Sequence, residues 1–321
     1  MRAVVRERYG DTSVLRVVDR DDPVPTGDQV LVDCAVGGVN MADWHLMTGL
    51  PSVARLAFGP RRPREQGLGR DLAGTVAAVG PDVTRLQVGD RVFGTAPAAF
   101  AQRAVARERA LARVPDGVPA AAAAAVPTAG TAALHALRSA RVAAGSRVLV
   151  LGAGGGVGSL VVRLAVLAGA RVTAATSAGK QEVVAGLGAD AVVDYADRAA
   201  WGTGYDAVVV TGGLYPLHVL RRPLAPRGSL VLVGAEGGGD VLGGGVVRQL
   251  RAVLLSPFLH QRLVSVVSRD NAADLERLRE LLADGSLVPV VERSYPLDDV
   301  AAAIDHVASG AARGKVVLTV A

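Results

Sequence analysis

Across the first third of the chain, apolar residues come in short runs broken by glycine and proline. Gln29 to Val36 (QVLVDCAV) and Leu72 to Val79 (LAGTVAAV) read as strands, the second ended by Gly80-Pro81. Gly89-Asp90 marks a turn before a strand at Arg91 to Phe93. Many short strands of this kind predict a small barrel-like β domain. The middle has another rhythm. An Ala-rich stretch from Pro119 leads into a helix over Thr128 to Leu137. Fully apolar runs then alternate with helical segments. They are Arg147 to Leu151, Arg171 to Ala175, Asp190 to Val193, Asp206 to Val210 and Ser229 to Val233. A glycine-rich turn at Gly152 to Gly158 and a helix at Ser159 to Ala168 separate the first two. Strands without a polar face are buried on both sides, so this region predicts βαβ units around a parallel sheet. Asp240 to Gly245 (DVLGGG) reads as a loop. The end holds a helix over Asn271 to Leu282 stopped by Gly285, a short strand at Val288 to Val291, a helix over Leu297 to Val307 and a last strand at Lys315 to Val320.

The chain has 321 residues, a length that suggests two domains. Half are hydrophobic and 20% charged, as in a folded globular protein; aromatics are 3%, so Ala, Val and Leu build the core. The longest stretch without Asp, Glu, Lys or Arg, Gly117 to Leu137, is interrupted by Pro119, Pro127 and Gly130. A membrane-crossing helix needs ~20 strongly apolar residues, so no span is expected. The start, MRAVVRERYG, lacks the apolar core of a signal peptide. Cys34 is the only cysteine. It rules out an internal disulfide and a multi-cysteine zinc site, reads as buried and inert, and suits the cytoplasm. The net charge of +5 is the balance of 35 basic residues, 33 Arg and 2 Lys spread along the chain, against 30 acidic ones. The run Arg61-Arg62-Pro63-Arg64 is too short, and too poor in aromatic neighbours, to argue for nucleic acid.

The glycine turn carries the first chemistry. Val148 to Gly158 reads VLVLGAGGGVG between a predicted strand and a predicted helix. A tight turn of small residues lets a dinucleotide pyrophosphate approach bare N–H groups at the positive end of the helix. Ala153, Gly155 and Gly158 fill the three fingerprint positions; Gly152, Gly156 and Val157 complete the turn. The alternative is a glycine turn used only to pack a helix.

At the end of the second strand, a carboxylate ~20 residues beyond the turn would select NAD by binding its ribose 2′-hydroxyl. Here the strand ends Ala174-Ala175-Thr176-Ser177, followed by Lys180. Ser177 offers a hydrogen bond to a 2′-phosphate, Lys180 a positive charge, and Tyr195 in VVDYAD a hydroxyl. These residues predict NADPH, with a solvated lysine at a helix start as the other reading of Lys180.

The whole chain resembles the medium-chain dehydrogenase/reductase superfamily, in its zinc-independent quinone oxidoreductase branch. The resemblance is carried by GVNMADWH from Gly38, GRDLAGTVAAVG from Gly69, GDRVFG from Gly89, AAFAQ from Ala98, AAAVPTAGTAAL from Ala123, GAGGGVG from Gly152, LGADAVVDY from Leu187, GSLVLVG from Gly228 and RGKVVLTV from Arg313. DWHLMTG, GRDLAG and LSPFLHQRL are similar to the reticulon-4-interacting-protein-like and chloroplast-envelope quinone oxidoreductase-like subgroup. The resemblance implies an α/β protein with a doubly wound Rossmann domain inserted in a GroES-like β-barrel catalytic domain. The expected catalytic domain is discontinuous, 1–119 and 257–321, around a dinucleotide-binding domain at 120–256. It also implies a homodimer formed through the edge strand of the nucleotide-binding sheet, expected near Val246 to Pro257.

Zinc alcohol dehydrogenases of the superfamily use a Cys after the first Gly-Val and a Gly-His-Glu motif. This chain has Asn40 near the first position and Gly69-Arg70-Asp71 at the second, so no metal is expected. Without a metal, hydride transfer to an acceptor already polarised by conjugation is favoured over alcohol oxidation. Asn40 is the candidate to orient the acceptor or the nicotinamide ribose. His45 is a candidate proton donor, or a wall residue. Asp43 reads as a helix cap for Trp44 to Met47, and Arg70-Asp71 as a local ion pair. The family pattern implies that Thr128 and Thr131 meet the nicotinamide end, with helix packing as the alternative for Thr131. Gly234 and Ala235 would line the nicotinamide site, and Lys315 would reach the cofactor phosphates or lie on the surface. Trp44, Leu46, Met47, Leu56 and Phe58 would make an apolar acceptor pocket for a small hydrophobic substrate, though Trp44 and Leu56 also suit core packing. The expected function is NADPH-dependent reduction of quinones or α,β-unsaturated carbonyl compounds. The alternatives are a zinc-free NADP-dependent alcohol dehydrogenase and a non-catalytic NADPH-binding regulatory or structural protein.

Overall fold

A computed structural model describes residues 1–234, 244–266 and 271–320. The chain divides into two compact units, residues 1–131 with 270–321, and residues 132–269.

In the first unit the strands are β1 (Arg2–Val5), β2 (Arg16–Asp19), β3 (Gln29–Val39), β4 (Asp71–Val79), β5 (Arg91–Thr95), β6 (Arg103–Arg107) and β7 (Leu111–Arg113). Its helices include α1 (Met41–Thr48), α2 (Arg55–Phe58) and α3 (Ala120–Ala124). Helix α4 (Pro127–Ala140) carries the chain into the second unit. There follow β8 (Arg147–Leu151), α5 (Gly156–Leu167), β9 (Arg171–Thr176), α6 (Gln181–Ala185), β10 (Ala191–Asp194), β11 (Tyr205–Val210), α7 (Leu217–Arg221), β12 (Leu224–Val233), α8 (Gly244–Leu255) and β13 (Arg262–Val266). The chain returns to the first unit with α9 (Ala272–Ala283), β14 (Val291–Pro296), α10 (Val300–Ala308) and β15 (Lys315–Thr319).

Among the described residues, the large sheet of the first unit runs β14-β15-β3-β4-β5-β7, with β6 also paired to β3. β15 pairs antiparallel with β3 in the register Val316 to Val39, and β3 with β4 in the register Gly38 to Asp71. The last strand of the chain thus lies beside one of the first, which makes the unit discontinuous. Its core is Val4, Val30, Leu72, Val76, Phe100, Ile304 and Leu318 among others.

The sheet of the second unit runs β10-β9-β8-β11-β12-β13, all parallel. Counted within the unit this is the order 3-2-1-4-5-6, the doubly wound Rossmann arrangement. Leu149, Leu151, Val208, Val210, Leu230 and Leu232 are buried along its central strands, as fully apolar strands require.

The unit boundaries fall at 131/132 and 269/270 rather than at 119/120 and 256/257. Helix α3 packs on β3, β4 and β5, and β13 extends the parallel sheet past residue 256. The strand expected at Val288 to Val291 lies instead at Val291–Pro296, where polar VERSYP pairs parallel with β15. An edge strand with one partner needs no continuous apolar run, so its pattern is weak. The edge strand expected near Val246 to Pro257 is also corrected. Residues 244–255 are helical, and the edge of the nucleotide-type sheet is β13. Gly244 and Gly245 of the expected loop open that helix; the rest of the loop lies outside the described residues.

Candidate active site

Two groups of residues carry chemistry, one in each unit. In the second unit, Gly152 leaves β8 with φ +84, a conformation that favours glycine. The N–H groups of Gly152 and Ala153 both donate to Ala175 O at 3.1 Å, and Gly155 N–H donates to Gly152 O at 3.1 Å. Helix α5 starts at Gly156, so the N–H groups of Gly156, Val157 and Gly158 have no intrahelical acceptor, while Ser159 N–H donates to Gly155 O at 2.9 Å. The expected start at Ser159 is therefore three residues late. A Cβ at Gly158 would collide with the Gly152 carbonyl, so packing of helix against turn demands glycine there. A Cβ at Gly155 would meet only that carbonyl, at an ordinary 3.5 Å. The fold itself does not require glycine at 155; the open floor beside three unpartnered N–H groups fits a pyrophosphate. Thr211, at the end of β11, donates from Oγ1 to Leu151 O and Gly152 O, each at 3.1 Å. It buttresses the turn at the point where strand order reverses, and the sequence reading missed it. A lone threonine after an apolar strand carries no local signal.

Tyr195 N–H donates to Thr176 O at 3.0 Å, which sets the tyrosine at the carboxyl end of β9. Ser177 follows Thr176, and the Lys180 stem covers Gly154, where an added Cβ would meet Lys180 Cδ at 2.7 Å. The backbone thus brings Ser177 and Tyr195 to the carboxyl end of β9, and the Lys180 stem to the glycine turn. Asp194 sits opposite Thr176 in the sheet, and its carboxylate accepts from Ala196 N–H at 2.8 Å. Arg198, which sequence reasoning passed over, lies 5.7 Å from the Tyr215 ring centre. Gly234 follows β12 at φ +80, and its carbonyl accepts from the Gln249 amide. Ala235 lies outside the described residues.

In the first unit, the register of β15, β3 and β4 gathers Lys315, Asn40 and Asp71 at one end of the sheet. Lys315 Nζ donates to Val39 O at 3.1 Å and to Asn40 Oδ1. Asn40 Nδ2 donates to Asp71 Oδ2 at 2.9 Å and to Gly38 O at 3.2 Å. Thr128 donates to Asp71 from its N–H at 3.1 Å and from its hydroxyl. Asn40 N–H donates to Asp43 Oδ2 at 2.8 Å, which ties the start of α1 to the group. Asp43, Asp71 and Lys315 are all buried. Burial pushes the Asp43 carboxyl up to about 7, with Asp71 adding to the rise and the Asn40 N–H and Lys315 opposing it. Burial also raises Asp71, against the pull of Lys315, Thr128 and Asn40, and lowers the Lys315 ammonium against both carboxylates.

Several expectations change here. Lys315 is 2% exposed and holds Val39 and Asn40, so it is the cation of a buried polar group, not a phosphate ligand. Asp71 is the hub of that group rather than half of a local ion pair with Arg70. Both amide hydrogens of Asn40 are engaged by Gly38 and Asp71. His45 Nδ1 donates to Leu50 O at 2.7 Å, and burial lowers its pKa. The neutral ring then offers Nε2 only as an acceptor, which does not suit a proton donor. Helix α1 begins at Met41, with Asn40 at its cap and Asp43 reaching back. Met47 is 1% exposed and belongs to the barrel core, so it lines no pocket, whereas Trp44 and Leu46 are half-buried and pack against that core. Leu56 and Phe58 are 73% and 41% exposed. Thr131 is buried in α4. Cys34 is buried, which pushes its thiol up to about 12. Among the described residues, no three His, Cys, Asp or Glu side chains gather as metal ligands, and no helix is long and apolar enough to cross a membrane.

Residues 26–136 match the alcohol dehydrogenase GroES-like domain, and residues 187–318 match the zinc-binding dehydrogenase family. The chain is 30% identical to the chloroplast envelope quinone oxidoreductase homolog of Arabidopsis thaliana, across 99% of this chain and 98% of that one. It is 30% identical to the 2-methylene-furan-3-one reductase of Solanum lycopersicum, across 99% of this chain and 79% of the relative. A solved mycobacterial protein complexed with NADPH superposes with a TM-score of 0.83 at 28% identity, covering all of both chains. The sheet order, the glycine turn and these full-length likenesses agree: the chain belongs to the medium-chain dehydrogenase/reductase superfamily and is an oxidoreductase with a nicotinamide-dinucleotide-binding fold, related to quinone and enone reductases.

Proposed function

We propose that this oxidoreductase reduces quinones or α,β-unsaturated carbonyl compounds with NADPH and without zinc. The observation that supports the reading is that Ser177 and Tyr195 stand at the end of β9 and the Lys180 stem lies on the glycine turn, where the strand end has no acidic side chain of its own. The N–H groups of Gly156, Val157 and Gly158 would hold the pyrophosphate, and Ser177, Lys180 and Tyr195 the 2′-phosphate. The mycobacterial neighbour, solved with NADPH, supports the same choice. When bound, the reduced nicotinamide supplies a hydride to an electron-poor carbon.

The residues of the first unit suit an acceptor that needs no Lewis acid. Where zinc relatives carry a Cys after Gly-Val and the Glu of Gly-His-Glu, this chain has Asn40 and Asp71 joined by a hydrogen bond, with Lys315 bonded to Asn40. That group is bonded within itself except at Asp43 Oδ1, which is buried without a hydrogen-bond partner, and it fixes the shape and charge of this end of the sheet. Asn40 and Lys315 therefore act as positioning residues. With the His45 N–H held by Leu50, the proton that completes the reduction comes from solvent. Leu56 and Phe58 offer apolar surface to the acceptor. A single buried cysteine suits the reducing cytoplasm. The edge strand β13, beside α8 with its exposed Leu250, Val253 and Leu254, supports a homodimer.

The test is turnover of purified, chelator-treated protein on a panel of quinones, enals and enones with NADPH or NADH. Reduction of at least one class, with NADPH preferred, is expected. Tight NADPH binding without turnover on any of them overturns the reading.

A further inference from the structure

The amino ends of the parallel strands carry a group of charges that the proposed reaction leaves unused. Arg141, Arg227, Arg262 and His260 line a concavity of about 420 Å³ with Ser229 and Asp206. All lie within residues 132–269, so the concavity belongs to the second unit alone. A separate local device brings each guanidinium there. Helix α4 ends in a pair of bonds, Arg141 N–H to Arg138 O and Val142 N–H to Leu137 O, each at 3.1 Å. This ending sets the residue after the helix in the left-handed region, where glycine is usual, and Arg141 takes it at φ +58. Glycine would serve the helix there, so what the arginine adds is its charge. In β12 the register slips between the Tyr205–Leu224 and Ala207–Ser229 pairs, and Ala225 to Gly228 bulge from the sheet with Arg227 exposed among them. The bulge sits tightly on β11, since a Cβ at Gly228 would meet Tyr205 O at 2.7 Å. Arg262 opens β13 opposite Ser229, and its Nη1 donates to Ser139 O at 2.6 Å, just before Arg141. His260 precedes Gln261, whose side chain is locked to Arg221 by bonds of 2.8 and 3.2 Å. Among the described residues, none of the three arginines is ion-paired with a carboxylate. Asp206, the one carboxylate on the lining, accepts from Arg147 N–H at 2.8 Å. Like charges gathered without a counter-ion repel one another, and an anion between them removes that repulsion.

We propose that this concavity binds a small polyhydroxylated phosphomonoester, of the sugar phosphate class, as a ligand separate from substrate and coenzyme. Three guanidinium groups against one carboxylate leave an excess of positive charge that matches a phosphate dianion. Guanidinium groups hold phosphate through paired, charge-assisted hydrogen bonds. The concavity has the size of a small-molecule site and exceeds a bare phosphate, and the hydroxyl of Ser229, the imidazole of His260 and the carboxylate of Asp206 suit hydroxyl groups on the remainder. The glycine turn leaves the carboxyl end of β8, whereas the concavity lies at the amino ends of β11, β12 and β13, about 15 Å away along a five-residue strand. Ligands of the redox reaction bind at the carboxyl ends of a doubly wound sheet. The sugar phosphate is then an effector that bridges the end of α4 to β12 and β13, and its binding does not depend on which acceptor the protein reduces.

The experiment is calorimetric titration of the full chain, free of dinucleotide, with glucose 6-phosphate, ribose 5-phosphate, inorganic phosphate and glucose. At least one sugar phosphate is expected to bind once per chain with a Kd of roughly 1 mM or below, weakening with added salt. Inorganic phosphate should bind several-fold more weakly and glucose not at all. In the Arg141→Gly, Arg227→Ser double variant, sugar phosphate affinity is expected to fall roughly tenfold or more. Glycine suits the φ of residue 141 and Arg227 is exposed, so this variant should keep its melting temperature within a few degrees. Arg171→Ser removes an exposed charge at the start of β9, the same end of the sheet, and should leave affinity within about twofold. Bound sugar phosphate should also slow hydrogen exchange at residues 139–142 and 225–229 and leave the glycine turn unchanged. Absence of arginine-dependent binding of both sugar phosphates up to roughly 10 mM overturns the proposal. So does inorganic phosphate binding as tightly as either, since the concavity would then be a plain anion patch. A loss of sugar phosphate binding in Lys180→Ala as large as in the double variant also overturns it, because the probe would then lie at the glycine turn.

Discussion

Lys315 donates a hydrogen bond to the side-chain oxygen of Asn40 across 275 residues of chain. The two meet because the final strand pairs with β3, and the bond places an ammonium among the carboxylates of Asp43 and Asp71. Removing the ammonium would strand buried negative charge. Lys315→Met is therefore expected to destabilise the first unit by about 3–5 kcal/mol. Adding Asp71→Asn should restore part of the loss. Urea unfolding of the single and double variants checks this; a single variant as stable as wild type would show that the lysine is not the counter-ion.

The Asp43 carboxyl gives stability a pH dependence of known sign. It ionises near pH 4 in the unfolded chain and at about 7 in the fold. The folded state thus holds the proton more tightly, and this group's effect is absent below pH 4. Its contribution turns increasingly unfavourable as pH rises from about 4 to about 7. Across that window wild type is expected to lose roughly 2–4 kcal/mol from this group, an upper range for a site with a cation nearby. Asp43→Asn should flatten that decline. Unfolding midpoints at pH 5 and pH 8 decide it, and parallel profiles for the two proteins would refute the assignment.

Two glycines of the same turn should behave differently. Gly158→Ala drives a Cβ into the Gly152 carbonyl and is expected to unfold or distort the second unit. Gly155→Ala meets no such obstacle at its φ of −89 and should leave the melting temperature of the ligand-free protein within a few degrees. It should nonetheless weaken dinucleotide binding by roughly tenfold or more, because the methyl group occupies the open floor of the turn. Normal binding by Gly155→Ala would mean that the floor is not where the pyrophosphate lies.

Lys180→Ala removes the cation at the end of β9. NADPH affinity is expected to fall about tenfold, and NADH affinity by less than about twofold. Fluorescence titration with both nucleotides reads the two numbers. Equal losses would remove the basis for NADPH selectivity.

His45→Gln tests the source of the proton. A general acid contributes ~10²–10⁴ in rate. With its N–H held by Leu50 and its pKa lowered by burial, His45 is expected to be dispensable within about fivefold, far below the range for a general acid. The kcat/KM profile of the variant should keep the wild-type shape between pH 6 and 8. A loss of about a hundredfold would restore the histidine to the chemistry.

The parallel sheet was legible because each of its strands carries its own signal. Val148 to Leu151 and Ala207 to Val210 are apolar on both faces, and glycine or a helix start follows each. The turn at Gly152 to Gly158 was legible for the same local reason. The polar group around Asp71 was not. Its meaning depends on the pairings Gly38 to Asp71 and Val316 to Val39, which join segments that are distant in the chain. A lysine near the end of a sequence ordinarily lies on the surface, so nothing local marked Lys315 as buried. The same distance hid the true length of β3. Gly37 and Gly38 look like a strand end, yet they hydrogen-bond between β4 and β15. Met47 misled in the opposite sense, since an apolar side chain beside candidate catalytic residues is equally suited to the core.

The pairing of the last strand with β3 also orders events during synthesis. Residues 132–269 form a contiguous unit that can reach its fold while the ribosome is still making the tail. The first unit has to wait, its sheet open along β3 until Lys315–Thr319 emerges. Until then Asn40 and Asp71 lack Lys315, so the first unit stays incomplete after the second is finished. Any truncation before residue 315 would leave the molecule permanently at that stage.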